Sequence, residues 1–127
     1  MPSRSKELEE GIEAFEKEDY SRAFLLLMPL AQAGYAQAQC YVASMYQCGS
    51  GVPVDGALAV EWYYKAARQA ETEQNISAIA YNNLGTIYNN GMPGVSANHS
   101  LARECWRKAV ELGFEMMLEN GSDTTEE

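Results

Sequence analysis

The chain has 127 residues, 46% of them hydrophobic and 21% charged, which are the proportions of one soluble globular domain. Its 18 carboxylates against 9 Lys and Arg give a net charge of −9, and that balance argues against the cationic patches needed for nucleic acid or anionic membrane surfaces. Three cysteines, an odd number, argue against a disulfide framework.

No segment approaches the roughly 20 apolar residues of a membrane span. The N-terminus, Met-Pro-Ser-Arg-Ser-Lys-Glu, runs into an acidic helix and lacks the apolar core of a signal peptide. A cytoplasmic, reduced protein is the expectation.

Residues 5–17 read as a first helix with Leu8, Ile12 and Phe15 on one face and Glu7, Glu9, Glu10, Glu13 and Glu16 opposite. Asp19 is placed to cap a second helix from Tyr20 to Ala33, which Gly34 ends. Pro29 falls inside that pattern, where it removes a backbone donor and is expected to kink the helix.

A longer unit follows, Ala36 to Ala70, and it returns in altered form as Ala80 to Gly113. Tyr46 matches Tyr88 and Gly49 matches Gly91 at an offset of 42; Val52 and Val95, Asp55 and Asn98, Ala59 and Ala102, and Lys65 and Lys108 match at 43. Self-similarity at this period marks a solenoid of two-helix units. In the first copy Ala38, Val42, Ala43, Met45 and Tyr46 form one apolar stripe, and Ala59, Trp62, Tyr63, Ala66 and Ala67 form another. Gly49-Ser50-Gly51 permits positive φ between the stripes, Gly91 and Gly94 do so in the second copy, and Asp55 and Asn98 cap the helices that follow. The small Ala43 and Gly85 let a partner helix approach closely. Trp62-Tyr63 is replaced by Cys105-Trp106, which makes Cys105 a core filler.

These residues resemble the Sel-1-like repeat family, relatives of tetratricopeptide repeats. The matching motifs are Tyr46, Gly49-Ser50-Gly51-Val52-Pro53-Val54-Asp55 and Ala59-Val60-Glu61-Trp62-Tyr63-Tyr64-Lys65-Ala66-Ala67, then Leu84-Gly85 with Tyr88. The resemblance covers roughly residues 7 to 114. It implies an all-α solenoid of about three antiparallel helix hairpins in a right-handed superhelix. The hairpins are expected at about 5–34, 35–70 and 74–113, with a short cap at 114–120 within one domain of residues 1–120, and an acidic disordered tail at 121–127. Phe114, Met117 and Leu118 would close the last hairpin, or else form the contact of a weak dimer. Between the two longer units, Glu71 to Ser77 is an insertion that could extend either adjoining helix or form a loop.

No nucleophile, base and orienting group assemble into a catalytic set, and no metal or phosphate motif is present. His99 is the only histidine and stands beside a helix cap. Cys40 lacks a nearby cation that would activate it. No enzyme activity, cofactor or metal is expected.

The resemblance places partner binding in a concave groove lined by the first helix of each pair. The positions there that the core leaves free are Gln37, Cys40, Ser44 and Gln47, then Asn82, Thr86, Asn89 and Asn90. Such an uncharged, amide-rich strip can bond a peptide backbone, and it can equally serve as a solvated surface. No Lys or Arg occurs at 23–64 or 69–102, which disfavours a carboxylate-terminal peptide. The resemblance implies a non-enzymatic protein-interaction module, a bacterial adaptor or regulator with a protein or peptide partner, and the acidity permits a basic one. Its alternatives are an immunity protein neutralising a toxic effector and an accessory subunit of an enzyme.

Overall fold

A computed structural model describes residues 2–69 and 73–114 of the chain. Among the described residues there are six α-helices and no strand: α1 Pro2–Glu16, α2 Tyr20–Gln32, α3 Ala36–Cys48, α4 Gly56–Ala67, α5 Gln74–Asn90 and α6 His99–Ala109. A π-type turn, Val110–Phe114, ends the described part. The helices pack in sequence order as a solenoid, each against its neighbours, and α5 also touches α3.

The turn chemistry is that of the sequence. Asp19, Asp55 and Asn98 each accept a hydrogen bond from the backbone N–H three residues on, at Arg22, Leu58 and Leu101 (3.4, 3.0 and 3.0 Å). The two long turns close alike, because the N–H groups of Asp55 and Asn98 donate to the carbonyls of Tyr46 and Tyr88 at 3.0 and 2.7 Å. The α2 helix runs from Tyr20 through Pro29 to Gln32 as one element, with Pro29 on its exposed side. Of the inserted segment, the part from Gln74 belongs to α5, and residues 70–72 lie outside the described residues.

Each long turn rests on the start of a helix in the preceding pair. Gly51, at φ +79°, lies against Tyr20, where a Cβ would stand 2.8 Å from Tyr20 Cβ. The next turn sits on the start of α4, and the Gly56 N–H donates to the Pro93 carbonyl at 3.1 Å. A Cβ on Gly56 would collide with that carbonyl and come within 2.9 Å of Val95 Cγ2. Glycine here is a requirement of close approach.

The core runs the length of the stack. The apolar stripes of α3 and α4 are buried, with Tyr46 half-buried at the edge. Gly85 carries the Trp106 indole directly on its backbone, and the indole Nε1 donates to the Asn82 carbonyl at 3.2 Å. Cys105 is buried at the position of Trp62, so a small side chain there is offset by a large one next to it.

Two substitutions test this packing. Trp62→Ala is expected to cost about 3–5 kcal/mol, read from the urea midpoint. Gly56→Ala is expected to cost about 1–3 kcal/mol through overpacking against the Pro93 turn. A parent-like midpoint for Gly56→Ala would mean that the Pro93 turn does not dock on the start of α4.

Candidate interaction groove

The first helices of the three pairs share one face, and a hollow of about 270 Å³ opens on it. Phe15 of α1, Gln37, Cys40, Tyr41 and Ser44 of α3, and Ile76, Ile79 and Asn83 of α5 form its walls, with Tyr63 of α4 reaching in from the second layer. The Phe15 ring meets Tyr41 edge to face with centroids 5.1 Å apart, and this pair joins α1 to α3. Tyr63 is almost wholly buried, and its hydroxyl donates to Gln47 Oε1 at 2.8 Å.

The eight anticipated groove residues divide. Gln37, Cys40 and Ser44 line this hollow. Gln47, Thr86 and Asn90 line a second, more open depression of about 400 Å³ beside Val54, Met92 and Pro93. Asn82 and Asn89 line neither of the two. The backbone of Asn82 is turned to α6 through the Trp106 bond, and Asn89 Nδ2 donates to Asn90 Oδ1 at 3.2 Å. The hollow also takes in Phe15, from the apolar face of α1, and Tyr41, Ile76, Ile79 and Asn83, which lie outside the polar strip. The offset of 42 that pairs Tyr46 with Tyr88 also pairs Gln37 with Ile79 and Tyr41 with Asn83. The two repeats therefore exchange polar and apolar side chains across the hollow.

Burial controls the ionisable groups on and behind this face. It pushes the Cys40 thiol up to about 12, and it holds the Tyr63 and Tyr64 phenols well above the usual phenol range. Burial raises Cys105 too, and in Tyr41 burial is joined by the negative charge of Glu16. Cys40 is thus a neutral, half-buried wall rather than a reactive surface thiol, whereas Cys48 is exposed. His99 is exposed at the first position of α6. Among the described residues no group of three or more His, Cys, Asp or Glu is arranged to hold a metal ion, and no helix is long and apolar enough to cross a membrane. The expected lid and tail fall at 114–127, where only the backbone of Phe114 is among the described residues.

The Sel1 repeat model matches residues 36–71 and 78–114, more than half of the chain and the same two units that the internal offsets delimit. The chain belongs to the Sel1 repeat family. A Sel1 repeat protein from Oxalobacter formigenes superposes with a TM-score of 0.71 at 34% identity, over 82% of this chain and 40% of that one. A protective antigen of uropathogenic Escherichia coli displaying an SLR fold superposes with a TM-score of 0.74 at 31% identity, over 87% of this chain and 23% of that one. The chain therefore spans less than half the length of either relative. Sel1 repeats generally mediate protein–protein interaction and are typically non-enzymatic scaffolds.

Two measurements follow from the burial pattern. Maleimide at neutral pH is expected to modify Cys48 and to spare Cys40 and Cys105 until the chain is unfolded. Stability is also expected to fall on the alkaline side. The folded state keeps the Cys40 proton to about 12, while an unfolded chain releases it near the ordinary 9.0. Stability is then fully present below pH 9 and is lost from there towards 12. A urea midpoint that stayed level from pH 8 to 11 would contradict the burial of these groups.

Proposed function

We propose that this Sel1 repeat chain is a non-enzymatic interaction module that receives a segment of another protein on the α1/α3/α5 face, as a bacterial adaptor or regulator. The observation that carries this reading is the hollow itself, where all three first helices contribute side chains to one concavity. At about 270 Å³ it lies just under the range of small-molecule sites, about 300–1,000 Å³. It nevertheless exceeds the 150 Å³ that holds a benzene ring in an engineered cavity. That size suits a side chain presented by a polypeptide better than a cofactor. Gln37, Ser44 and Asn83 supply amide and hydroxyl groups for the backbone of such a segment.

The two relatives are both bacterial proteins, one of them a protective antigen, and a bacterial setting for this chain follows by analogy. The net charge of −9 favours a basic protein over nucleic acid or an anionic membrane.

The test compares two variants with the parent by affinity capture from source cells and mass spectrometry. Gln37→Arg with Ile79→Arg fills the hollow at two exposed positions and is expected to remove the captured partner while leaving helicity unchanged. Leu25→Arg alters a side chain that is 75% exposed on α2 and is expected to leave capture intact. The reverse pattern would move the contact to the outer helices.

A further inference from the structure

We propose that the hollow takes an apolar side chain from a cationic stretch of its partner, a leucine-like anchor with Lys or Arg on either side. This rests on the reading of the α1/α3/α5 face as the partner surface and specifies the chemistry that the face selects.

The apolar half of the argument is the lining. Phe15, Tyr41, Ile76 and Ile79 converge on the hollow from three helices. Ile79 is left 42% exposed although its neighbours Ala78 and Ala80 are buried in the core. Cys40 presents a protonated thiol, a small and weakly polar surface. Side chains of this kind gain by covering one another, at about 25 cal/mol per Å² removed from water, and the segment that enters must therefore bring an apolar group.

The cationic half comes from the rim. None of the nine lining residues carries a charge, so nothing inside repels or neutralises an ion at the edge. Glu16 follows Phe15 directly in α1 and is exposed. The three ion pairs found among the described residues, Lys17–Glu13, Arg107–Glu104 and Arg107–Glu111, do not include it. At the other end, Glu73 shares a depression with Gln37, which also lines the hollow, and is exposed one turn before Ile76. One carboxylate therefore acts on the Tyr41 wall from α1, and another stands beside Gln37 at the start of α5. A partner with acidic residues beside its anchor would meet repulsion from these groups, and one with basic residues would meet attraction.

The experiment uses the full chain with labelled Ile methyl groups and three blocked tripeptides, Lys-Leu-Lys, Glu-Leu-Glu and Lys-Gly-Lys, at low salt. Lys-Leu-Lys is expected to shift the Ile76 and Ile79 methyls and to bind about tenfold more tightly than either of the others. Its advantage over Glu-Leu-Glu should shrink as salt is added. Because each exposed ion pair is worth about 0.2–1 kcal/mol, Glu16→Gln should weaken Lys-Leu-Lys by about 1.4- to fivefold and leave Glu-Leu-Glu no weaker. Equal binding of Lys-Leu-Lys and Glu-Leu-Glu at these methyls overturns the charge selection and leaves the groove reading standing. Equal binding of Lys-Leu-Lys and Lys-Gly-Lys overturns the anchor. If no peptide moves Ile76 or Ile79, the hollow is not a side-chain site and the groove reading falls with it.

Discussion

The helix on which the other elements depend is α4. It packs against α3 on one side and α5 on the other, and it is held at its start, middle and end. The Gly56 N–H bonds the Pro93 carbonyl, the Tyr63 hydroxyl bonds Gln47, and the Ala67 carbonyl accepts from the Ser77 hydroxyl. Between these points Ala59, Trp62, Tyr63, Ala66 and Ala67 are buried. Without α4, neither α3 nor α5 could bury the face it turns to it. In a stack of helix pairs, stability resides in such nearest-neighbour interfaces. The same element also reaches the hollow, because Tyr63 crosses from α4 to line its wall and bonds Gln47 of α3.

The fold was legible because its determinants are local. A glycine at positive φ, a capping Asp or Asn and an apolar stripe of helical period each act within a few residues. Two copies of one arrangement let each copy check the other. Tyr46 and Tyr88 illustrate this, since both give a carbonyl to the capping residue of the next helix although the intervening turns differ by one residue. The inserted segment was ambiguous for the opposite reason. Its Glu, Thr and Gln carry no punctuation, and the helix that begins at Gln74 buries Ser77 and Ala78 against its neighbours.

The site was less legible. Selecting positions that the core leaves free favours polar residues, and Gln37, Cys40 and Ser44 were found in this way. The same rule assigns every apolar residue to the core, so Ile76, Ile79, Tyr41 and Phe15 were passed over. Core and groove in a thin two-layer stack draw on the same side-chain types. The difference between Ile79 and Ile87 is the direction each faces on a single helix, and one is 42% exposed while the other is buried. Asn82 shows the converse, a polar residue whose backbone serves the Trp106 indole instead of lining the hollow.

The seating of each turn on the preceding pair has a directional consequence. Gly51 lies on Tyr20, and Pro93 lies on Gly56. In both cases the receiving helix start precedes the arriving turn in the chain. A polypeptide emerging from the ribosome N-terminus first therefore exposes every seat before the segment that fills it. Asp19 and Asp55 cap the two receiving helix starts locally, so each seat can form before the later turn settles on it.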